Sequence, residues 1–537
     1  MQRQFLILAA ILTSTFSFSQ EGFSRRDSLK GGLSKERTDY DVLRYALDIR
    51  IDPDRKFLSG VNHITYKLLN NANTIQIDLF ENMTVDSIVQ DGKILKYERE
   101  FDAVFVDLGG KETGKHQLSF YYSGNPRIAP SAPWNGGFVW DRDKNGNHWI
   151  GVAVQGTGAS LWYPCKDSQS DEPDFGASVS VAVPNGLMNV SNGRFLGSEE
   201  LDADYTTWKW EVLSPINNYN ITVNIADYAH IHENHGNIDL DYYVLRYNED
   251  VARRHFSEVK TMMDCFQSKF GDYPFANDGF KLVETPYLGM EHQSAVAYGN
   301  HFLKGYRGSD LSGTGIGMLF DYIVIHESGH EWFGNSVTSI DIADMWIHES
   351  FTTYSEAVYV ECTQGYEKAI QYLTGIKGNV RNFSPIISTF GVNKKGSNDM
   401  YPKGALMLNT LRHIIADDQK WWSILKGFAE TFRHQIIDGQ TVVEYFNTSS
   451  AMNLTPVFDQ YLKGTKIPEL EIKLVKNGLS YRWKNTIENF EMPIDVAVGD
   501  ETIRLIPTTK LQTRRLRSKL KKADIKVDTD RYYIIYK

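Results

Sequence analysis

Cysteine is scarce here: Cys165, Cys265 and Cys362 are the only three among 537 residues. At most one disulfide can join them, and their wide spacing fits no metal-binding pattern, so the fold does not rest on a disulfide framework. Long runs of one charge are absent too. Lysine and arginine total 57 against 67 aspartates and glutamates, a net charge of −10 spread along the chain. The basic group Arg514-Arg515-Leu516-Arg517 is short and reads as a solvated face, which argues against nucleic-acid binding. No repeat or low-complexity tract is present. Beyond the first twenty residues no stretch has the length and apolarity of a membrane span.

What is there suits a large globular protein. At 42% hydrophobic and 23% charged, core material is ample, and 537 residues exceed what one core normally supports. Two to four domains are expected. The start reads as a secretory signal covering residues 1–19: Arg3, a mostly apolar run from Phe5 to Phe18, and small residues at Ser17 and Ser19 before a cut at Gln20. No cysteine follows that site, so a lipid anchor is not indicated. The expectation is an exported protein, periplasmic or secreted, with no stable membrane insertion after signal removal.

Residues 20–38 read as a linker. From 39 to 233 the period is two: Leu47, Ile49 and Ile51 alternate with Asp48 and Arg50, and Ile75, Ile77 and Leu79 with Gln76 and Asp78. Turn signals such as Asp91-Gly92 and Asn192-Gly193 separate the runs, which predicts an all-β domain. After Glu233 the pattern becomes mixed, with a strand at 240–247 and a helix opened by Asn248-Glu249-Asp250. Thr441 is positioned to cap a helix through Val442, Val443 and Phe446. From 465 to 537 the period returns to two, consistent with a small β-sandwich.

The mixed segment holds His326-Glu327-Ser328-Gly329-His330, followed by Glu349 after eighteen intervening residues. Positions i and i+4 share a helix face, so both imidazoles can reach one ion. Ile316, Leu319, Phe320, Ile323 and Val324 recur at helical spacing upstream, which predicts one helix running through them into the motif. Two histidines and a carboxylate leave one tetrahedral position open, the catalytic rather than the structural form of a zinc site. Glu327, between the ligands, is placed to act as general base. One Zn2+ per chain is expected.

These residues make the chain resemble the zinc aminopeptidases of the aminopeptidase N and leukotriene hydrolase type, a gluzincin family. The zinc block of that family is similar to His326 through Thr338 together with His348-Glu349-Ser350. Its exopeptidase block is similar to Leu288-Gly289-Met290-Glu291-His292, and its third block to Tyr401-Pro402-Lys403-Gly404. The resemblance implies a multidomain α+β protein: a β-rich N-terminal domain (39–233), a thermolysin-like zinc catalytic domain (234–464) and the β-sandwich (465–537). It implies hydrolysis of the N-terminal peptide bond of peptides that carry a free amino terminus. Under it His326, His330 and Glu349 hold zinc, Glu327 is the base and Tyr401 stabilises the oxyanion. Glu291, with Gly289, Met290 and Gln155, receives the substrate amine, and Tyr287 shapes the first side-chain pocket. Glu356, two turns past Glu349, is a candidate partner for a zinc-bound histidine.

Three positions depart from the family pattern. Leu288 stands where glycine is usual, and His292 where asparagine is usual. Thr157 stands where many members carry a glutamate or glutamine as a second anchor for the amine. Two rival readings remain. An endopeptidase would share the zinc residues but has no need of Glu291, and a non-enzymatic peptide binder should have lost a ligand or the base, all of which are intact. An epoxide hydrolase activity of one family branch is also compatible with these residues.

Overall fold

The computed structural model describes residues 22–536 except 477, 517–520, 522 and 523. The expected signal at 1–19 lies outside the described residues. Two short helices open the described chain, α1 (Arg25–Gly31) and α2 (Lys35–Thr38). Ser24 caps α1 in a reciprocal capping box with Asp27. Residues 22–38 are therefore not a plain linker. Arg37 is buried and pairs with Asp78 at 2.6 Å, which ties this segment into the β region.

Alternating apolar residues fold the next stretch into sheets. An eight-stranded sheet runs, in spatial order, 194–200, 205–212, 177–184, 40–52, 57–68, 114–124, 83–90 and 93–94. The strand Tyr40–Asp52 is central, antiparallel to Phe57–Leu68 and parallel to Ala177–Pro184. A three-stranded and a four-stranded sheet complete this region, and Leu47, Ile49, Ile75, Ile77, Phe120, Trp162 and Tyr163 share its core. The aromatic segment around Trp162 is buried in this core.

A five-stranded sheet follows, ordered 228–235, 238–245, 280–284, 296–298 and 289–290. Its first strand, Tyr228–His235, straddles the expected boundary at 233/234. Alternation alone could not tell which sheet that strand joins. The helices then pack together: α3 (Glu249–His255), α4 (Glu258–Phe270), α5 (Tyr322–Gly329), α6 (Trp346–Gln364), α7 (Tyr366–Ile376), α8 (Pro402–Ile415), α9 (Asp418–Thr431), α10 (Gly439–Ser450) and α11 (Thr455–Leu462). Cys265 and Cys362 form the one possible disulfide, between α4 and α6, while Cys165 is free and buried. A four-stranded and a three-stranded sheet close the chain, and their apolar residues are continuous with the helical core.

Two local expectations are corrected. The helix carrying the histidines begins at Tyr322, capped by Asp321, whose carboxylate accepts from the amides of Ile323 and Val324. Ile316–Leu319 is a separate 3-10 turn with Leu319 half exposed, because Phe320 is extended and breaks the helical run. Asp438, not Thr441, caps α10; Thr441 itself donates to Asp438. Among the described residues no helix is long and apolar enough to cross a membrane.

Candidate active site

A cleft of about 890 Å³ runs between the β region and the helices. Helix α5 presents His326 and Glu327 to it, with His330 at its C-cap, and α6 presents Glu349 and Glu356. His326 Nε2 lies 3.7 Å and His330 Nε2 3.4 Å from Glu349 Oε2. The other ring nitrogens are committed elsewhere. His326 Nδ1 donates to Glu356 Oε1 at 2.7 Å, and His330 Nδ1 donates to the Phe333 carbonyl at 3.0 Å. Both Nε2 lone pairs are thereby turned toward the same point. Glu349 Oε2 is buried and has no hydrogen-bond partner. Three ligand atoms within 4.8 Å of one another in a buried place, one of them an unpartnered carboxylate oxygen, fit a metal ion.

Glu327 faces the cleft beside this triad. Desolvation, opposed by His326 and reinforced by Glu291, pushes its carboxyl up to about 7, where a general base works best. Strand 289–290 brings Glu291 opposite: ligand atoms of Glu291, Glu327 and His330 all lie within 4.8 Å of one another. Gly289 permits this approach, since a Cβ there would sit 2.8 Å from Ile323 Cγ2 and 3.1 Å from Glu327 Oε1. Met290 lines the same cleft. Tyr401, ahead of α8, donates its hydroxyl to Glu349 Oε1 at 2.8 Å. Burial, with Glu349 alongside, raises its pKa well above the ordinary value, so it stays a proton donor.

The N-terminal β region completes the surroundings of Glu291. Gln155 donates its side-chain amide to Glu291 Oε1, and the Tyr219 hydroxyl donates to the same oxygen at 3.4 Å. Thr157 supplies no carboxylate: its hydroxyl accepts from the Gly136 amide at 3.0 Å, and its carbonyl accepts from Lys30 of α1. Lys30, Arg127, Arg381 and Lys395 all line the cleft. Tyr287 is a correction. It is buried outside the cleft with its hydroxyl donating to the Val152 carbonyl at 3.0 Å, and Leu288 lines the cleft instead. His292 is buried, off the cleft, and held neutral because burial lowers its pKa to about 3.

Several participants went unread in the sequence. Tyr322 stands one turn before His326 with its hydroxyl 3.2 Å from Nδ1, and Thr352 sits 3.2 Å from His330 Nδ1. Helical spacing could have found Tyr322. Asn335, whose amide donates to the Glu291 carbonyl at 2.8 Å, lies within the zinc block, while Tyr219 and Lys30 carry no local signal.

Residues 254–461 match the family model for the peptidase family M1 domain. The chain carries an M1 peptidase domain. Among relatives, it is 22% identical over 520 residues to "Probable aminopeptidase 1" of Sulfurisphaera tokodaii, covering 91% of this chain and 61% of that protein. It is 23% identical over 485 residues to aminopeptidase N of Lactobacillus helveticus, covering 80% and 52%. The chain spans about half to three-fifths of the length of the curated relatives it matches. Among solved structures, an M1 zinc metallopeptidase from Deinococcus radiodurans superposes with a TM-score of 0.67 at 19% identity, over 82% of this chain and 96% of that one. That likeness shows the fold: the M1 domain here sits in the same multidomain arrangement.

Proposed function

We propose that this chain is a zinc-dependent aminopeptidase that removes single residues from the amino end of peptides. The observation that carries the reading is Glu291 in the same cleft, within 4.8 Å of Glu327 and His330. A free α-ammonium seated on that carboxylate leaves its own carbonyl only two bonds away, so the first peptide bond falls at the triad. Held by His326 Nε2, His330 Nε2 and Glu349 Oε2, zinc supplies a Lewis acid that polarises a carbonyl and acidifies water.

The chain's own residues do the rest. Glu327 takes a proton from the attacking water and passes it to the leaving amine. Tyr401 offers its hydroxyl to the developing oxyanion, a contact typically worth about 3–4 kcal/mol. Glu356 and the Phe333 carbonyl keep the two imidazoles in their ligating tautomer. Gln155 and Tyr219 orient Glu291 toward the amine.

Aminoacyl-coumarin and peptide substrates, free and N-acetylated, test this. Acetylation should cut kcat/KM by at least about thirtyfold, the loss of one charge-assisted contact in a desolvated cleft. Internal cleavage of acetylated peptides at comparable rates would make the chain an endopeptidase. We also propose export, supported by the pattern of residues 1–19. A mature amino terminus at Gln20 on protein recovered outside the cytoplasm is the expected result.

A further inference from the structure

A second His–His–carboxylate group lies away from the cleft, on the edge of the five-stranded sheet. Strand Tyr228–His235 is the edge strand, antiparallel to Ile238–Leu245, and the register pairs His232 with Asp241 and His230 with Tyr243. Residues two apart on a strand share a face, so both histidines stand on the side where Asp241 projects. His230 Nε2 and His232 Nδ1 both meet Asp241 Oδ1, at 2.7 and 2.9 Å. The three ligand atoms lie within 4.8 Å of one another. The His230 ring is stacked on Tyr243 at 4.4 Å and 3°, which fixes one imidazole before any ligand arrives. Side-chain exposures of 40%, 49% and 18% leave the group open to an ion from solvent.

We propose that His230, His232 and Asp241 form a surface site for a divalent transition-metal ion of the zinc, nickel and copper class, completed by water. Imidazole nitrogens select these ions over calcium and magnesium, which take oxygen ligands. Ligand bonds of about 2.0–2.2 Å place tetrahedral donors roughly 3.3 Å apart. The present contacts therefore open by about half an ångström, which exposed side chains on an edge strand allow. Asp241 is ready as a ligand: burial raises its pKa, but bonds from both imidazoles and the charge of Lys281 hold it below the usual range. The donors come from two paired strands, so a bound ion would clasp those strands together. An ion bound only by the folded chain stabilises it by mass action.

The test uses the full zinc-loaded chain, equilibrated with ZnCl2 and separately with NiCl2, with bound metal counted by elemental analysis and calorimetry. Wild type should take a second equivalent and melt at a higher temperature in its presence. His232→Gln should weaken that second equivalent at least tenfold, and His230→Ala/His232→Ala should abolish it, with peptidase turnover unchanged in both. Far-ultraviolet circular dichroism of the metal-limited variants, matching wild type, confirms that they fold. A stoichiometry that stays at one in wild type overturns the proposal. So does a second equivalent that persists in the double variant, which would place the ion elsewhere.

Discussion

His326, His330 and Glu349 are buried and come from two helices; His230, His232 and Asp241 are partly exposed and come from two strands. The ligand types are the same. What differs is everything around them. In the cleft, each imidazole has its outer nitrogen held by a separate acceptor, so both inner nitrogens face the unpartnered Glu349 Oε2. On the sheet edge, both imidazoles lean on the one carboxylate and water can reach all three. Glu327, Glu291 and Tyr401 surround the first group only. Chemistry follows from that surrounding shell rather than from the ligand set.

The comparison can be broken or sharpened by substitution. The largest effect is expected from His330→Ala, which should remove the catalytic zinc and take turnover to background, read together by metal analysis and coumarin release. Glu327→Gln comes next. It should keep zinc while kcat falls by at least about a hundredfold, the usual worth of a general base. Near wild-type turnover would mean that another group moves the proton. Tyr401→Phe loses one hydroxyl and little volume, and about a hundredfold in kcat is expected with KM little changed; an effect confined to KM would reject the oxyanion role. Glu356→Gln should lower zinc affinity by about ten- to hundredfold, measured by chelator competition, since the acceptor that orients His326 is weakened. The smallest effect belongs to His232→Ala, for which turnover within about twofold of wild type is expected. A large loss there would show that the sheet edge communicates with the cleft.

Legibility in the sequence follows the distance over which a pattern acts. The two histidines could be read because i and i+4 on a helix meet wherever the helix sits. Glu356 could be read because it repeats the face of Glu349 on the same helix. The β region could be read from alternation, yet the expected boundary at 233/234 falls inside strand Tyr228–His235, because alternation gives a strand its faces and not its neighbours. Tyr287 was placed in the cleft for a similar reason: its segment was known, but the side of the chain that faces the opening was not.

By itself the sequence determined the ligand types, the helical spacing that pairs His326 with His330, the base between them, and the order of strand-rich and helical regions. Tertiary structure alone decided that Glu349 on α6 meets α5, and that Gln155 and Tyr219 of the β region turn Glu291 into a held carboxylate. It also decided that α1 carries Lys30 to Thr157, and that two histidines of a strand face Asp241 across a register. The reason is geometric. Spacing along one element is fixed by its 5.4 Å helical pitch or about 3.3 Å strand rise. Separation between elements is set by how their apolar faces pack, and no local period records it.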